Sequence, residues 1–294
     1  MASEPKSTAQ LATLARAVAS FEADPRIRVS DHLATEFLSP GLARLARSRL
    51  LRRVAIRLYQ RKLPGAYLYT IARTRHIDMV LRQELENDAR QVVILGAGYD
   101  SRAYRFHDAF PTARFFEVDF PATSARKVAK VAAVLGGLPA HVSYAPVDLT
   151  VDSLDSSLPM VGYDPGERTL FIWEGVTMYL TASAVDHTLA FVAGQSGAGS
   201  SIIFDYVFRS ILAGDSTLYG AAEAVRLVRK RGEPFRFGIE PGEAASFLRE
   251  RRLECVSALG PADLERIYLS RSDGTLFGRA VGYWAIAHGR RGDD

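Results

Sequence analysis

The chain has 294 residues, 48% hydrophobic and 24% charged, with a formal net charge of +4 at pH 7, an ordinary globular composition with enough length for a sizeable core. It excludes several classes: no run reaches the roughly 18 apolar residues of a membrane span, and Met1 to Glu22 lacks the apolar stretch of a secretory signal. The single cysteine, Cys255, cannot close an internal disulfide, and no Cys/His cluster could hold a structural zinc. The expectation is a cytoplasmic protein with no metal and no membrane partner.

In chain order, residues 8 to about 88 read as helices. Leu11, Leu14, Ala15 and Val18 recur at helical spacing, as do Leu51, Val54, Ala55 and Leu58. Pro64-Gly65 interrupts, and a further helix runs from Tyr69 through Leu85. Between Leu42 and Lys62 stand Arg44, Arg47, Arg49, Arg52, Arg53, Arg57, Arg61 and Lys62, with no acid among them. Read as one arginine-rich helix, this run could serve an acidic acceptor, nucleic acid or an acidic membrane surface, or be a solvated face.

From Gln91 the pattern changes to short apolar runs: Gln91–Leu95, Arg114–Asp119, Val142–Val147, Thr169–Trp173 and Ser201–Asp205. Runs apolar on both faces fit strands buried in a parallel sheet. Helical stretches between them, such as Ala122–Leu135 and Ala182–Ala193, make repeated strand–helix units. Two late strands near Leu253–Ala258 and Ala280–Ala287 complete seven. The predicted fold is a doubly wound α/β sheet in a single domain over 1–294. It divides into a helical cap (1–88), a Rossmann-like core (89–208 and 241–294) and an inserted helical lid (209–240).

The glycine turn Gly96-Ala97-Gly98 follows the first strand directly, where glycine lets backbone turn sharply and approach a ligand. After Gly98 comes Tyr99-Asp100-Ser101, without the third glycine of a dinucleotide fingerprint. That favours a smaller nucleoside cofactor. About twenty residues on, Glu117-Val118-Asp119 ends the second strand, where a carboxylate can accept both ribose hydroxyls. Asp148-Leu149 and Glu174-Gly175 end the third and fourth strands. Any one of these acids could be a helix cap or a solvated turn, but together with the glycine turn they mark one crevice.

Gly96-Ala-Gly-Tyr-Asp-Ser-Arg102, Phe116-Glu-Val-Asp-Phe-Pro121, Asp148-Leu149, Trp173-Glu-Gly-Val-Thr-Met-Tyr-Leu180 and Ala72-Arg-Thr-Arg-His-Ile-Asp78 resemble the leucine carboxyl methyltransferase family, which includes bacterial enzymes similar to polyketide carboxyl O-methyltransferases. The resemblance runs from about Thr8 to the last strand and implies a class I methyltransferase sheet with S-adenosyl-L-methionine as cofactor. It implies that Arg73, or Arg75 in its place, holds the methionine carboxylate, that Gly96, Ala97 and Gly98 pass beneath the methionine moiety, and that Asp119, with Glu117 beside it, binds the ribose. Asp148 and Leu149 would contact adenine, and Glu174 the methionine ammonium. The lysine that members acting on protein C-termini carry near the N-terminus has no clear match, which points to a small-molecule acceptor, an acidic one by the basic run, and to a place in secondary metabolism.

The expected reaction is O-methylation of a carboxylate, which is already ionised near neutral pH and needs no general base. The alternative is a phenol or alcohol, for which a base is useful. His76, His107, His141 and His187 are candidates by type alone, so no catalytic residue is assigned. Tyr67, Tyr69, Tyr206, Tyr219 and Arg236 are the candidate lining of the acceptor pocket. Two other classes compete: an NAD(P)-dependent oxidoreductase, which should carry the missing third glycine, and a nucleic-acid-binding protein, which should carry stacking aromatics beside the basic run. That run holds only Tyr59, so no nucleic-acid partner is expected.

Overall fold

The structure is a computed structural model that describes residues 6–232 and 234–292. Five helices come first: α1 (Lys6–Ala19), α2 (Ala34–Phe37), α3 (Pro40–Arg47), α4 (Arg49–Lys62) and α5 (Ala66–Glu86). Strands and helices then alternate: β1 (Gln91–Leu95), α6 (Arg102–Arg105), β2 (Arg114–Asp119), α7 (Pro121–Leu135), β3 (Val142–Pro146), α8 (Leu154–Met160), β4 (Thr169–Trp173), α9 (Ala182–Gly194) and β5 (Ser201–Val207). The remainder is α10 (Ala221–Arg231), α11 (Ala244–Arg249), β6 (Leu253–Leu259), α12 (Pro261–Tyr268) and β7 (Trp284–Arg291).

The seven strands form one sheet in the order β3-β2-β1-β4-β5-β7-β6. The first five are parallel, and β7 runs antiparallel to both β5 and β6. Every residue of β1, β4 and β5 is buried, which is why these strands read as unbroken apolar runs rather than alternating ones. Only β6, at the edge, alternates.

The sequence expectations need local corrections. The basic run is two helices, not one: the chain breaks at Ser48, whose hydroxyl accepts the Leu51 N–H and starts α4. The last strand begins at Trp284, not Ala280, because the Ala280 N–H is taken by the Glu265 carboxylate rather than by a neighbouring strand. The short helices α6, α8, α11 and α12 are too brief to show a periodicity. Among the described residues, no helix is long and apolar enough to cross a membrane.

Candidate functional site

The strand order reverses at β1, which lies between β2 and β4. Ligands of open α/β sheets bind beyond the carboxyl ends of the strands at such a point. A cavity of about 520 Å³ opens there, within the range of roughly 300–1,000 Å³ usual for small-molecule sites.

Strand ends build its floor. After β1 the chain turns through Gly96 (φ +66°) and Gly98 (φ +46°). A Cβ on Gly96 would collide with Val176 Cγ2, on the turn after β4. The Gly98 N–H donates to Asp119 Oδ2 at 2.5 Å, and the Phe120 N–H to Asp119 Oδ1 at 2.7 Å. Burial raises the Asp119 carboxyl above its ordinary range, outweighing these two donors. Both oxygens keep a lone pair for a further donor. After β3, Asp148 Oδ1 accepts the Thr150 N–H at 2.9 Å and its hydroxyl at 2.6 Å, holding the turn that carries Leu149.

After β4 stands Glu174. Arg73 from α5 reaches its Oε1 at 2.9 Å and Arg102 from α6 its Oε2 at 2.7 Å. Burial alone would raise this carboxyl, but the two guanidinium groups win and hold it below the ordinary value. Arg73 also meets Asp205 Oδ2 at 2.5 Å, while Asp205 Oδ1 accepts the Gly175 N–H at 2.6 Å. Arg102 continues to Asp100 and Asp78, Arg105 joins Asp78 to Asp31, and Arg16 of α1 closes on Asp31. Four arginines thus face five carboxylates in one buried chain running from α1 to β5. The network carries one negative charge in excess.

Of the residues expected at the site, Arg73, Gly96, Ala97, Gly98, Asp119, Asp148, Leu149 and Glu174 all line this cavity. Glu117 does not. It is buried and paired with Lys127 of α7 at 2.8 Å. Period two gives Glu117 the same sheet face as Asp119, but α7 covers that face one pair of residues earlier. Arg75, the alternative to Arg73, donates instead to the backbone carbonyls of Pro25 and Arg28.

Of the candidate acceptor-pocket residues only Arg236 lines the cavity. Tyr67 is tied to Glu22, Tyr69 to Asp205 while stacked on Trp284, and Tyr206 is packed in β5. Tyr219 packs beside Gly65 and Gly282, under the Arg279 guanidinium. No described histidine lines the cavity: His107 and His141 stack on each other, His76 bonds the Tyr268 hydroxyl, and His187 borders a separate depression. Nothing from 42 to 62 lines it either.

The sequence reading missed Arg16, Asp100, Val176 and Tyr179 in the lining, and Asp205 behind it. For Asp205 the signal was present, an acid closing an apolar run as on the earlier strands. For Arg16 there was none, since its place depends on how α1 packs on a sheet eighty residues away.

Comparison with known proteins gives these features a lineage. Residues 9–193 match the family model described as leucine carboxyl methyltransferase. YktD of Bacillus subtilis (strain 168), a proposed S-adenosyl-L-methionine-dependent methyltransferase, is 28% identical over 206 residues, 70% of this chain and 67% of that protein. A proposed S-adenosyl-L-methionine-dependent methyltransferase of Streptomyces avermitilis is 39% identical over 133 residues, so that this match spans 44% of the chain and 45% of the relative. Among solved structures, a proposed methyltransferase from Thermobifida fusca YX superposes with a TM-score of 0.57 at 16% identity, covering 82% of this chain and 88% of its own. A DUF574 family protein from Streptomyces avermitilis does so at 0.57 and 14%, covering 94% and 96%. At such identities these likenesses speak for the fold, a Rossmann-like methyltransferase sheet. The chain belongs to the leucine carboxyl methyltransferase family of S-adenosylmethionine-dependent methyltransferases.

Proposed function

We propose that this protein transfers the methyl group of S-adenosylmethionine to a carboxylate oxygen of a small molecule, forming a methyl ester. The observation that carries the reading is the charge pattern of the cavity: Asp119 lines it together with Asp100 and Glu174, which belong to the buried network one negative charge in excess, while the exposed Arg236 lines it with no described carboxylate in ion-pair contact. The cofactor's methionine end and sulfonium together carry one net positive charge, which an excess of one carboxylate complements. Asp119 takes the ribose hydroxyls on the lone pairs its backbone donors leave open. Leu149 and Asp148 border the adenine, the Gly96–Gly98 turn passes beneath the methionine part, and Glu174 receives the ammonium. Arg73 spends N–H groups on Glu174 and Asp205, so Arg16, which also faces the cavity, shares the methionine carboxylate with it. In this reading the chain is one methyltransferase domain, with 1–88 as its cap and 209–240 as its lid.

S-adenosylmethionine supplies a methyl group on a positively charged sulfur, open to in-line displacement. The chain's part is to align the acceptor and exclude water. No described histidine lines the cavity, and an ionised carboxylate needs none, since it arrives as the nucleophile. Arg236 orients it.

Calorimetric titration with S-adenosylhomocysteine and with NADH, on wild type and Asp119→Ala, tests the cofactor assignment. Binding of the first alone, weakened at least tenfold in the variant, is the expected result; preference for NADH would sink it. Methyl-labelled product from a panel of acids and phenols then tests the acceptor. An ester is lost in mild alkali and an ether is not.

A further inference from the structure

Helix α4 carries a feature the methyltransferase site does not use. Its half-buried residues Ala55, Ile56 and Tyr59 face the body of the protein. At roughly 100° per residue, Leu50 lies on the opposite side, and Leu51, Val54 and Leu58 form a stripe between it and the buried face. They are 71%, 46%, 45% and 52% exposed. The exposed flank of this helix thus carries an apolar stripe of Leu51, Val54 and Leu58 where a solvated helix is polar. Arg53, Arg57 and Arg61 border the stripe on one side and Lys62 on the other. No acid lies between Leu42 and Lys62, and among the described residues none of these four cations has a carboxylate partner.

We propose that α4 is an interfacial helix that docks this protein on an anionic phospholipid surface. A helix lying in the membrane plane needs apolar side chains on the pole that enters the acyl boundary and cations at its flanks to meet phosphate and carboxylate headgroups. Both are present, and the stripe projects from a convex helix, a shape a fluid interface accepts without a matching groove. A second copy of the chain fits poorly, because a two-fold interface sets each patch against itself and would oppose two sets of unpaired cations. Nucleic acid would engage the arginines but leave the four apolar side chains against phosphate. The inference replaces the expectation of no membrane partner, which rested on the absence of a spanning segment. It is independent of the acceptor and of the cofactor.

Co-sedimentation of the full chain with vesicles tests it, comparing phosphatidylcholine alone with phosphatidylcholine containing about a third phosphatidylglycerol. Wild type should pellet with the anionic vesicles at least tenfold more than with the neutral ones. The variant Leu51→Gln/Val54→Gln/Leu58→Gln should lose at least tenfold in vesicle affinity, and so should Arg53→Gln/Arg57→Gln/Arg61→Gln. Unchanged melting temperature and S-adenosylhomocysteine binding show that both variants fold. Absence of binding to anionic vesicles overturns the proposal. So does retention of binding by the apolar variant, which would reduce the contact to charge alone, or a dimer in sedimentation equilibrium that the same variant dissociates.

Discussion

Asp205 is fully buried between Arg73, Tyr69 and the Gly175 turn, and its carboxylate shares with Glu174 the pairing of the largely buried Arg73 guanidinium. Removing one partner of such a buried pair strands the other's charge at a cost of about 3–5 kcal/mol. Asp205→Ala should therefore lose stability of up to that size in urea unfolding, Glu174 remaining on Arg73. Asp205→Asn, which keeps an acceptor for the Gly175 N–H, should lose less. Glu117 permits a prediction of a different kind. Burial, opposed by Lys127, pushes its carboxyl from 4.5 up to about 7. The folded chain thus holds a proton that the unfolded chain has released across that window. The contribution is complete below 4.5 and is lost as pH rises through about 7. His76 and His288, lowered by burial from 6.5 to about 4, have the opposite sign, their contribution being complete above 6.5 and lost on acidification through about 4. Because these effects overlap, the readout is a difference: Glu117→Gln should gain on wild type by roughly 3 kcal/mol between pH 4.5 and 7. A difference in stability that is flat with pH would mean that Glu117 is ionised throughout.

At the scale of elements, the β1 turn and the β4 turn are built against each other, and Gly96 is where they touch. Alanine there would take a left-handed backbone at a cost of about 1–2 kcal/mol and add a methyl group against Val176. Gly96→Ala should weaken S-adenosylhomocysteine binding and lower the melting temperature. Adding Val176→Ala should recover the steric part but not the backbone part, so partial rescue is the expected result in a thermal melt. This pairing also shows what was legible in the sequence. The glycines and the strand-end acids Asp119, Asp148 and Glu174 could be read locally, because each closes or directly follows a short, largely apolar run. Which helix covers which acid could not. Glu117 and Asp119 differ by one period-two step, yet α7 brings Lys127 onto the first and leaves the second to the cavity. Likewise the break at Ser48 is a single hydroxyl cap inside a run whose composition never changes. Arg16, Asp78, Arg102 and Asp205 come from four separate elements, and only the packed fold makes them one network.

For the whole molecule, the cavity joins the N-terminal helices to the sheet: Ala9, Ala12, Thr13 and Arg16 of α1 face Gly98, Asp119 and Glu174 across it. Arg16 is anchored at 2.9 Å on Asp31 and also donates to the Tyr99 carbonyl at 2.6 Å, so α1 and the β1 turn share a hydrogen bond beside the proposed ligand. A ligand that binds only the folded state adds about 2.7 kcal/mol at a hundred times its dissociation constant. At about 2 °C per kcal/mol for a chain this long, that raises the melting temperature by roughly 5 °C. Where the protection falls is the more telling measurement. Because α1 contributes a wall rather than resting on a completed site, S-adenosylhomocysteine should slow amide hydrogen exchange in α1 as well as in the β1 and β4 turns, and leave α4 unchanged. Arg16→Ala should keep the protection of the turns and lose that of α1, with faster release of the ligand. Protection confined to the strand ends in wild type would mean that the sheet alone holds the cofactor, and that α1 covers the cavity without closing it.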